Sequence, residues 1–585
     1  MAIYSFEPDR DAARYVGSLV GESTSREFRL AIAHEAVREQ DIIAVDAEVG
    51  GADSTRPREE IRVWAKVRRI ERLNPLFPDE AGHELAGGRI DPFDTVVSLT
   101  REVVTAVCQI LGCEPRHGDT GMRRLDHVRY PPRPASSAYR PDPAAVARVV
   151  LGDLPPRRAL DIATLANRDD VDVRVDGHAI VTRHLAILAM TGAGKSWAAR
   201  RIIEELTARN YPIVIFDPHG DYTGLAEVPA LRDRVRRYYA QLPIFEEAAD
   251  TVVTIVETLG WRLANTHRSL FDALFEAARG FIGVPPAELP ERAGWLARYL
   301  DKPGIARYGL KPDLFYLADF VQAVVVAGKG DDRAALGALG EWSGVDIKVT
   351  RQQAGWLEGL PNNLRAGARQ LGRMEDISKR AARTSDPLPA DRTGLIRYGG
   401  VSIVALSGYT GDFQAMIYDL VANAIFNAQM ADPSRMPVLF VLEEAHKFAP
   451  AQAASPAEQR AVTTTRQIAQ EGRKFNVGLV LISQRPSRLD ETTLSQCNSY
   501  VVMRMVNPAD QSYVRRVVET LGEDDVRMLP DLDVGEAILS GQLVAMPILV
   551  KMKEPAAKGE HEEVDAFAAL EEAHRQATRP ARSVP

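Results

Sequence analysis

The stretch that most narrows the choice of fold is Ala189-Met-Thr-Gly-Ala-Gly-Lys-Ser196. It lies between a short apolar run, Ala186–Ala189, and a helical one, Trp197–Arg209. The P-loop pattern asks for Gly, four residues and then Gly-Lys-Ser/Thr, entered from a strand and left by a helix. Successive backbone N–H groups in such a loop converge at a helix N-terminus and favour bound phosphate. Gly192 and Gly194 supply the positive φ and close approach that a side chain would block. Lys195 is expected to reach the β/γ-phosphates and the Ser196 hydroxyl to ligate Mg²⁺. Thr191, Gly192, Ala193, Gly194, Lys195, Ser196 and the adjoining Trp197 are therefore the candidate nucleotide-binding residues. Ala189 stands where the pattern has its first glycine, adding one methyl at the loop's entry.

A second strand has to bring carboxylates to the same sheet edge, and Val438-Leu-Phe-Val-Leu-Glu443-Glu444 does so. Five apolar residues suit a buried parallel strand, and the acidic pair falls at its carboxyl end, where open α/β sheets bind ligands. Glu443 is expected to hold Mg²⁺, partly through its waters, and Glu444 to orient or deprotonate the attacking water. Asp217-Pro-His-Gly-Asp-Tyr222 follows another apolar strand, Pro212–Phe216, and places a carboxylate and an imidazole near that edge. Gln484 ends the run Val477–Ile482 and is a candidate sensor of the γ-phosphate or water. Arg473 and Lys474 close the preceding helix, where cations also suit the helix dipole. Arg473 is the candidate for a cation acting on a neighbouring copy's phosphate, expected close to the active sheet edge, with Arg183 and Arg504 as competitors. Lys447, and Arg485 or Arg488, are candidate pore residues beside the strand ends, although solvated surface charge is the stronger reading for any single one of them.

Organisation along the 585 residues supports an α/β protein with a separate β-rich start. Short runs at Tyr15–Val20, Phe28–Ile32, Asp41–Val45 and Ile61–Val67 suggest a small barrel or sandwich. The prolines from Pro131 to Pro143 and Leu154-Pro-Pro-Arg157 read as extended connections leading out of it. Alternating strands and helices from about residue 170 argue a parallel sheet. A mostly helical stretch from about 245 to 395 interrupts that sheet before strands resume at 401–406, 438–442, 477–482 and 500–504. The expected division is 1–165, 166–245, 246–395, 396–553 and a polar tail, 554–585, with a short helix at Val564–Gln576. The formal net charge of −8 leaves no chain-wide basic footprint, so contact with a polyanion must be local.

Cys108 and Cys113 with His117 offer three zinc ligands but no fourth, so buried thiols are expected. Three cysteines make no disulfide framework and fit a reducing compartment. A start without a basic-then-apolar pattern, and no apolar run near the roughly 20 residues that span a bilayer, predict a cytoplasmic chain away from membranes.

Taken together, the sequence from Arg183 to Ser196, Asp-Pro-His-Gly-Asp-Tyr, Leu-Glu-Glu-Ala-His and Glu471-Gly-Arg-Lys…Ile-Ser-Gln-Arg-Pro-Ser487 resemble the HerA branch of the HerA/FtsK ATPase superfamily. Gly535–Gly541 and Pro547–Lys551 are similar to that family's closing strands, and the β-rich start resembles its HAS barrel. Asp221 stands where the family more usually has Glu. The likeness covers roughly 10 to 555, with a weak match in the helical stretch. It implies a RecA-like P-loop NTPase core with a helical insertion, preceded by a small N-terminal β-barrel domain. It also implies ATP and Mg²⁺ as ligands, with Glu444, Lys195, Arg473 and Gln484 catalytic and Arg183 joining the nucleotide site. The expected assembly is a homohexamer that moves double-stranded DNA. Its partner would be a NurA-like nuclease in DNA-end processing, or a Sir2-like or nuclease effector in anti-phage defence. Two alternatives stay open: an ATP-dependent ring scaffold organising an effector, and a VirB4-like secretion or conjugation ATPase.

Overall fold

The first strands bury Val16, Phe28, Leu30, Val45 and Val63 together and close into a barrel. The computed structural model describes residues 14–557, apart from 34–35, 50–58, 74–82, 85, 90–102, 116–124, 153, 241, 262, 301–309 and 382–384, together with six residues between 567 and 575. His117 and most of the expected helix Val564–Gln576 lie outside the described residues. The chain's contacts gather into two units. The first comprises Met1–Ile180, Leu185–Glu205 and Asn498–Glu554; the second is Val181–His184, Leu206–Cys497 and Pro555–Pro585. Elements are numbered along the whole chain.

In the first unit, β1 (Tyr15–Ser23), β2 (Glu27–Ile32), β3 (Ile42–Val49), β4 (Glu59–Leu73), β5 (Val103–Pro115) and β6 (Ser137–Tyr139) close in the order β1-β2-β5-β4-β3-β6. Phe28, Leu30, Val63, Val67 and Cys108 fill the interior. The proline-rich segment expected to be an extended connection instead supplies β6, which pairs with both β1 and β3 and so completes the barrel. It then starts a helix, α1 (Pro143–Leu151), with Pro143 in the first turn, where a missing N–H costs nothing. Next come β7 (Ala159–Leu165), β8 (Arg168–Asp176), the helix α2 (Gly177–Arg183), which runs into the second unit, and β9 (Leu185–Leu188). After β9 the loop leads into α3 (Lys195–Ala208), two residues earlier than the helical run in the sequence suggests.

Near the other end of the chain lie β16 (Ser499–Met503), α15 (Glu523–Met528), β17 (Glu536–Gly541) and β18 (Ile548–Met552). Strand β9 pairs parallel with β16, and β16-β17-β18-β7-β8 continue antiparallel. Buried Lys66 of β4 reaches Asp525 of α15 at 3.2 Å and the Pro547 carbonyl at 3.3 Å, which pins the barrel to these closing strands.

The second unit holds a parallel sheet in the order β12-β11-β13-β10-β14-β15. Its members are β10 (Ile213–Asp217), β11 (Val235–Tyr239), β12 (Asp386–Pro387), β13 (Val401–Ala405), β14 (Val438–Leu442) and β15 (Val477–Ser483). Every residue of β10, β14 and β15 is buried, the signature of central parallel strands. Between β11 and β12 come the helices α4 (Ala249–Thr258), α5 (Asn265–Ile282), α6 (Leu289–Ala297), α7 (Leu314–Lys329), α8 (Arg333–Ser343), α9 (Arg351–Trp356) and α10 (Leu360–Ala381). They pack on an aromatic core that includes Phe245, Phe275, Tyr316 and Phe320. Helices α11 (Gly411–Ala431) and α12 (Pro456–Glu471) are the crossovers into β14 and β15. The protein is thus α/β: a RecA-like P-loop NTPase core with a helical insertion, preceded by a small N-terminal β-barrel domain.

Candidate nucleotide site

In the first unit the loop Met190–Gly194 has the backbone that phosphate binding requires. Gly192 and Gly194 have φ of +80° and +98°, and a Cβ on Gly192 would point into open space. A Cβ on Gly194 would meet Gly535 N at 3.2 Å and Met503 Cε at 3.3 Å, so only glycine sits there without strain. Two hydrogen bonds brace the loop from the closing strands: Met190 N–H donates to the Arg504 carbonyl at 2.9 Å, and Gly535 N–H to the Ala193 carbonyl at 3.1 Å. Arg504, immediately after β16, is thereby placed at the same sheet edge as the loop. Lys195 is buried at the start of α3, Ser196 is half-buried, and Thr191 and Trp197 are exposed. The extra methyl of Ala189 is fully buried and accommodated. Convergent N–H groups, a buried lysine and a hydroxyl at a helix N-terminus fit a nucleotide's phosphates. Among the described residues no group of three or more His, Cys, Asp or Glu could hold a metal.

In the second unit, the carboxyl ends of β10, β14 and β15 bring a polar cluster together. Glu443 follows β14, is fully buried, and accepts a hydrogen bond from the Tyr222 hydroxyl at 2.6 Å. Glu444 has φ 50° and ψ 52°, the left-handed region that non-glycine residues enter at a cost of about 1–3 kcal/mol, commonly at functional sites. That backbone turns the second carboxylate away from the first. The Gln484 side-chain amide donates to Glu444 Oε1, and His446 Nδ1 lies 3.3 Å from Oε2.

The Asp217 carboxylate is committed otherwise than its position suggests. It accepts the backbone N–H groups of His219, Gly220, Asp221 and Tyr222 at 2.7–3.2 Å, tying the 217–222 turn around one side chain. Burial nonetheless pushes its carboxyl above the usual range. Lys447 Nζ sits 3.0 Å from His219 Nε2, and burial holds its ammonium below the usual lysine range. Arg485 and Arg488 are exposed just beyond β15.

Arg473 is not near this cluster. Strands β14 and β15 are parallel, with Val438 opposite Val477, so the helix joining them must return to the amino edge before β15 begins. Arg473 lies there, three residues before Asn476, whose carbonyl accepts the Val438 N–H. At about 3.3 Å per strand residue that is about 20 Å from Glu443. Arg183, at the end of α2 directly before β9, occupies the amino end of its own strand in the same way. The cysteines form no metal site among the described residues: Cys108 and Cys113 are buried, and burial pushes the Cys108 thiol up to about 12.

A family model described as the central domain of helicase HerA matches residues 160–291. A DNA double-strand break repair helicase HerA of Pyrococcus furiosus is 25% identical over 576 residues, covering 92% of each chain. A probable helicase of Methanocaldococcus jannaschii is 28% identical over 434 residues, covering 72% of each. Among solved structures, VirB4 of Thermoanaerobacter pseudethanolicus aligns at a TM-score of 0.41 and 16% identity, over 69% of this chain and 98% of that one. Among the described residues no helix is long and apolar enough to cross a membrane. With HerA relatives following it along most of its length and a central-domain match that runs through the phosphate-binding loop, the chain is a HerA-like ATPase.

Proposed function

We propose that the protein is a ring-forming motor, a homohexamer that hydrolyses ATP at subunit interfaces and moves double-stranded DNA in concert with a nuclease or other effector. The observation that carries this reading is the pair Glu443 and Glu444, held by different partners at the carboxyl end of a buried parallel strand. HerA relatives described as DNA double-strand break repair helicases support the choice of DNA as the track.

In this reading Thr191 to Trp197 embrace the nucleotide, and Lys195 draws charge from its β/γ-phosphates. Ser196 and Glu443 would hold Mg²⁺, which would supply neutralisation of the charge on the transferring phosphoryl group. Glu444 takes the proton from the attacking water, and Gln484 fixes its carboxylate for that task. A closing cation comes from a neighbouring copy. Arg473 and Arg183 compete for that role from amino edges of strands, whereas Arg504 would act within its own copy. Lys447, Arg485 and Arg488 face the DNA path. Residues 1–165 form the barrel-bearing arm, 166–245 and 396–553 the motor core, 246–395 the insertion and 554–585 a tail. The effector supplies nuclease chemistry, in DNA-end processing or in anti-phage defence, from a cytoplasmic complex.

The test is the ATPase rate of the full chain with and without linear double-stranded DNA. A motor is expected to be stimulated several-fold, and the stimulation should fall with salt as phosphate contacts are screened. A rate indifferent to DNA at every salt concentration would favour a ring that only organises its effector.

A further inference from the structure

The 217–222 turn has a consequence for the Mg²⁺-binding carboxylate. Tyr222 is completely buried, and its side chain reaches Glu443 at the end of β14. Asp217 makes that crossing rigid. With four N–H groups on one carboxylate and Gly220 at φ +89°, the turn has little freedom left, and Tyr222 leaves it in a fixed direction. The ring then packs inside the unit and its hydroxyl meets Glu443 Oε2 at 2.6 Å. An ionised carboxylate has no proton to give, so the phenol O–H is the donor of this bond.

We infer that Tyr222 is the positioning residue of the Walker B carboxylate. Its hydroxyl occupies Glu443 Oε2 and fixes the rotamer in which the carboxylate would be presented to the metal. A charge-assisted hydrogen bond of this length is among the stronger ones available to a protein. Without it, the carboxylate loses the donor that fixes its orientation. The Asp-Pro-His-Gly-Asp-Tyr motif is then a device for aiming a phenol, with Asp217 as its pin. This rests on the reading of Glu443 as the Mg²⁺-binding carboxylate.

The experiment compares Tyr222→Phe, which keeps the ring, with Glu443→Gln in the full-length protein. Mn²⁺ binding in the presence of a non-hydrolysable ATP analogue is followed by electron paramagnetic resonance, and analogue binding in EDTA is measured separately. Tyr222→Phe is expected to weaken Mn²⁺ binding roughly tenfold, one charge-assisted hydrogen bond's worth, while metal-free analogue binding is unchanged. Wild-type Mn²⁺ affinity in Tyr222→Phe, while Glu443→Gln loses Mn²⁺, overturns the role of Tyr222. If Glu443→Gln itself binds Mn²⁺ normally, the metal assignment fails instead. Equal loss of Mn²⁺ and metal-free analogue binding in Tyr222→Phe would mark general damage to the site and also overturn the inference.

Discussion

Glu443 and Glu444 are neighbours in sequence but not in environment. One is sealed beneath a phenol; the other is swung by a left-handed backbone to the Gln484 amide and the His446 ring. Two carboxylates set apart in this way can divide the work of holding a metal and accepting a proton. Glu444→Gln is therefore expected to bind ATP and Mg²⁺ but to turn over at least ~100-fold more slowly, as loss of a general base requires. Steady-state hydrolysis and filter binding of nucleotide check the two halves separately, and normal turnover would move the base elsewhere. At this scale the sequence shows which residue types are present and what ends a strand. It does not show how a carboxylate is used. Asp217 looks like a free acid in the sequence, yet its oxygens are taken up by four backbone donors. Tyr222 is legible as the last residue of a motif, but its partner lies 221 positions away.

Elements were most legible where composition and burial agree. Strands β10, β14 and β15 are runs of apolar residues in the sequence and are buried throughout in the fold. Strands β5, β7, β8 and β11 eluded the sequence reading: six of the nine residues of β8 are charged, and β5, β7 and β11 each pair with a strand distant in the chain. The helical insertion carries a pH response of its own. Glu375 on α10 is half-buried and accepts the Leu242 N–H at 3.4 Å; burial, with Asp376 and Asp313 adding to it, pushes its carboxyl up to about 7. A raised acid pKa in the folded state means the native protein holds this proton more tightly than the unfolded chain. Stability must then fall as pH rises from the ordinary glutamate range to about 7 and level off above it. The drop is up to about 3 kcal/mol for a shift of this size. Glu375→Gln removes the charge and should narrow the gap between thermal midpoints measured at pH 5 and pH 8. An unchanged gap would mean that the carboxyl does not titrate in that window.

A chain of 64.3 kDa assembled as a closed ring of six gives a particle of about 386 kDa, and mass photometry with ATP at micromolar concentration is expected to find it. Monomer alone under those conditions would count against the motor reading. By itself the sequence determined the phosphate loop, the acidic strand end, the α/β class and the HerA likeness, because each depends on residues close together in the chain and on backbone chemistry that repeats wherever those residues occur. Only the tertiary structure decided that Ser137–Tyr139 completes the barrel, that Tyr222 caps Glu443, and that Arg473 lies at the amino edge. Each of these follows from which strands pair and in which direction, and a parallel crossover returns its helix to the far edge whatever residues that helix carries.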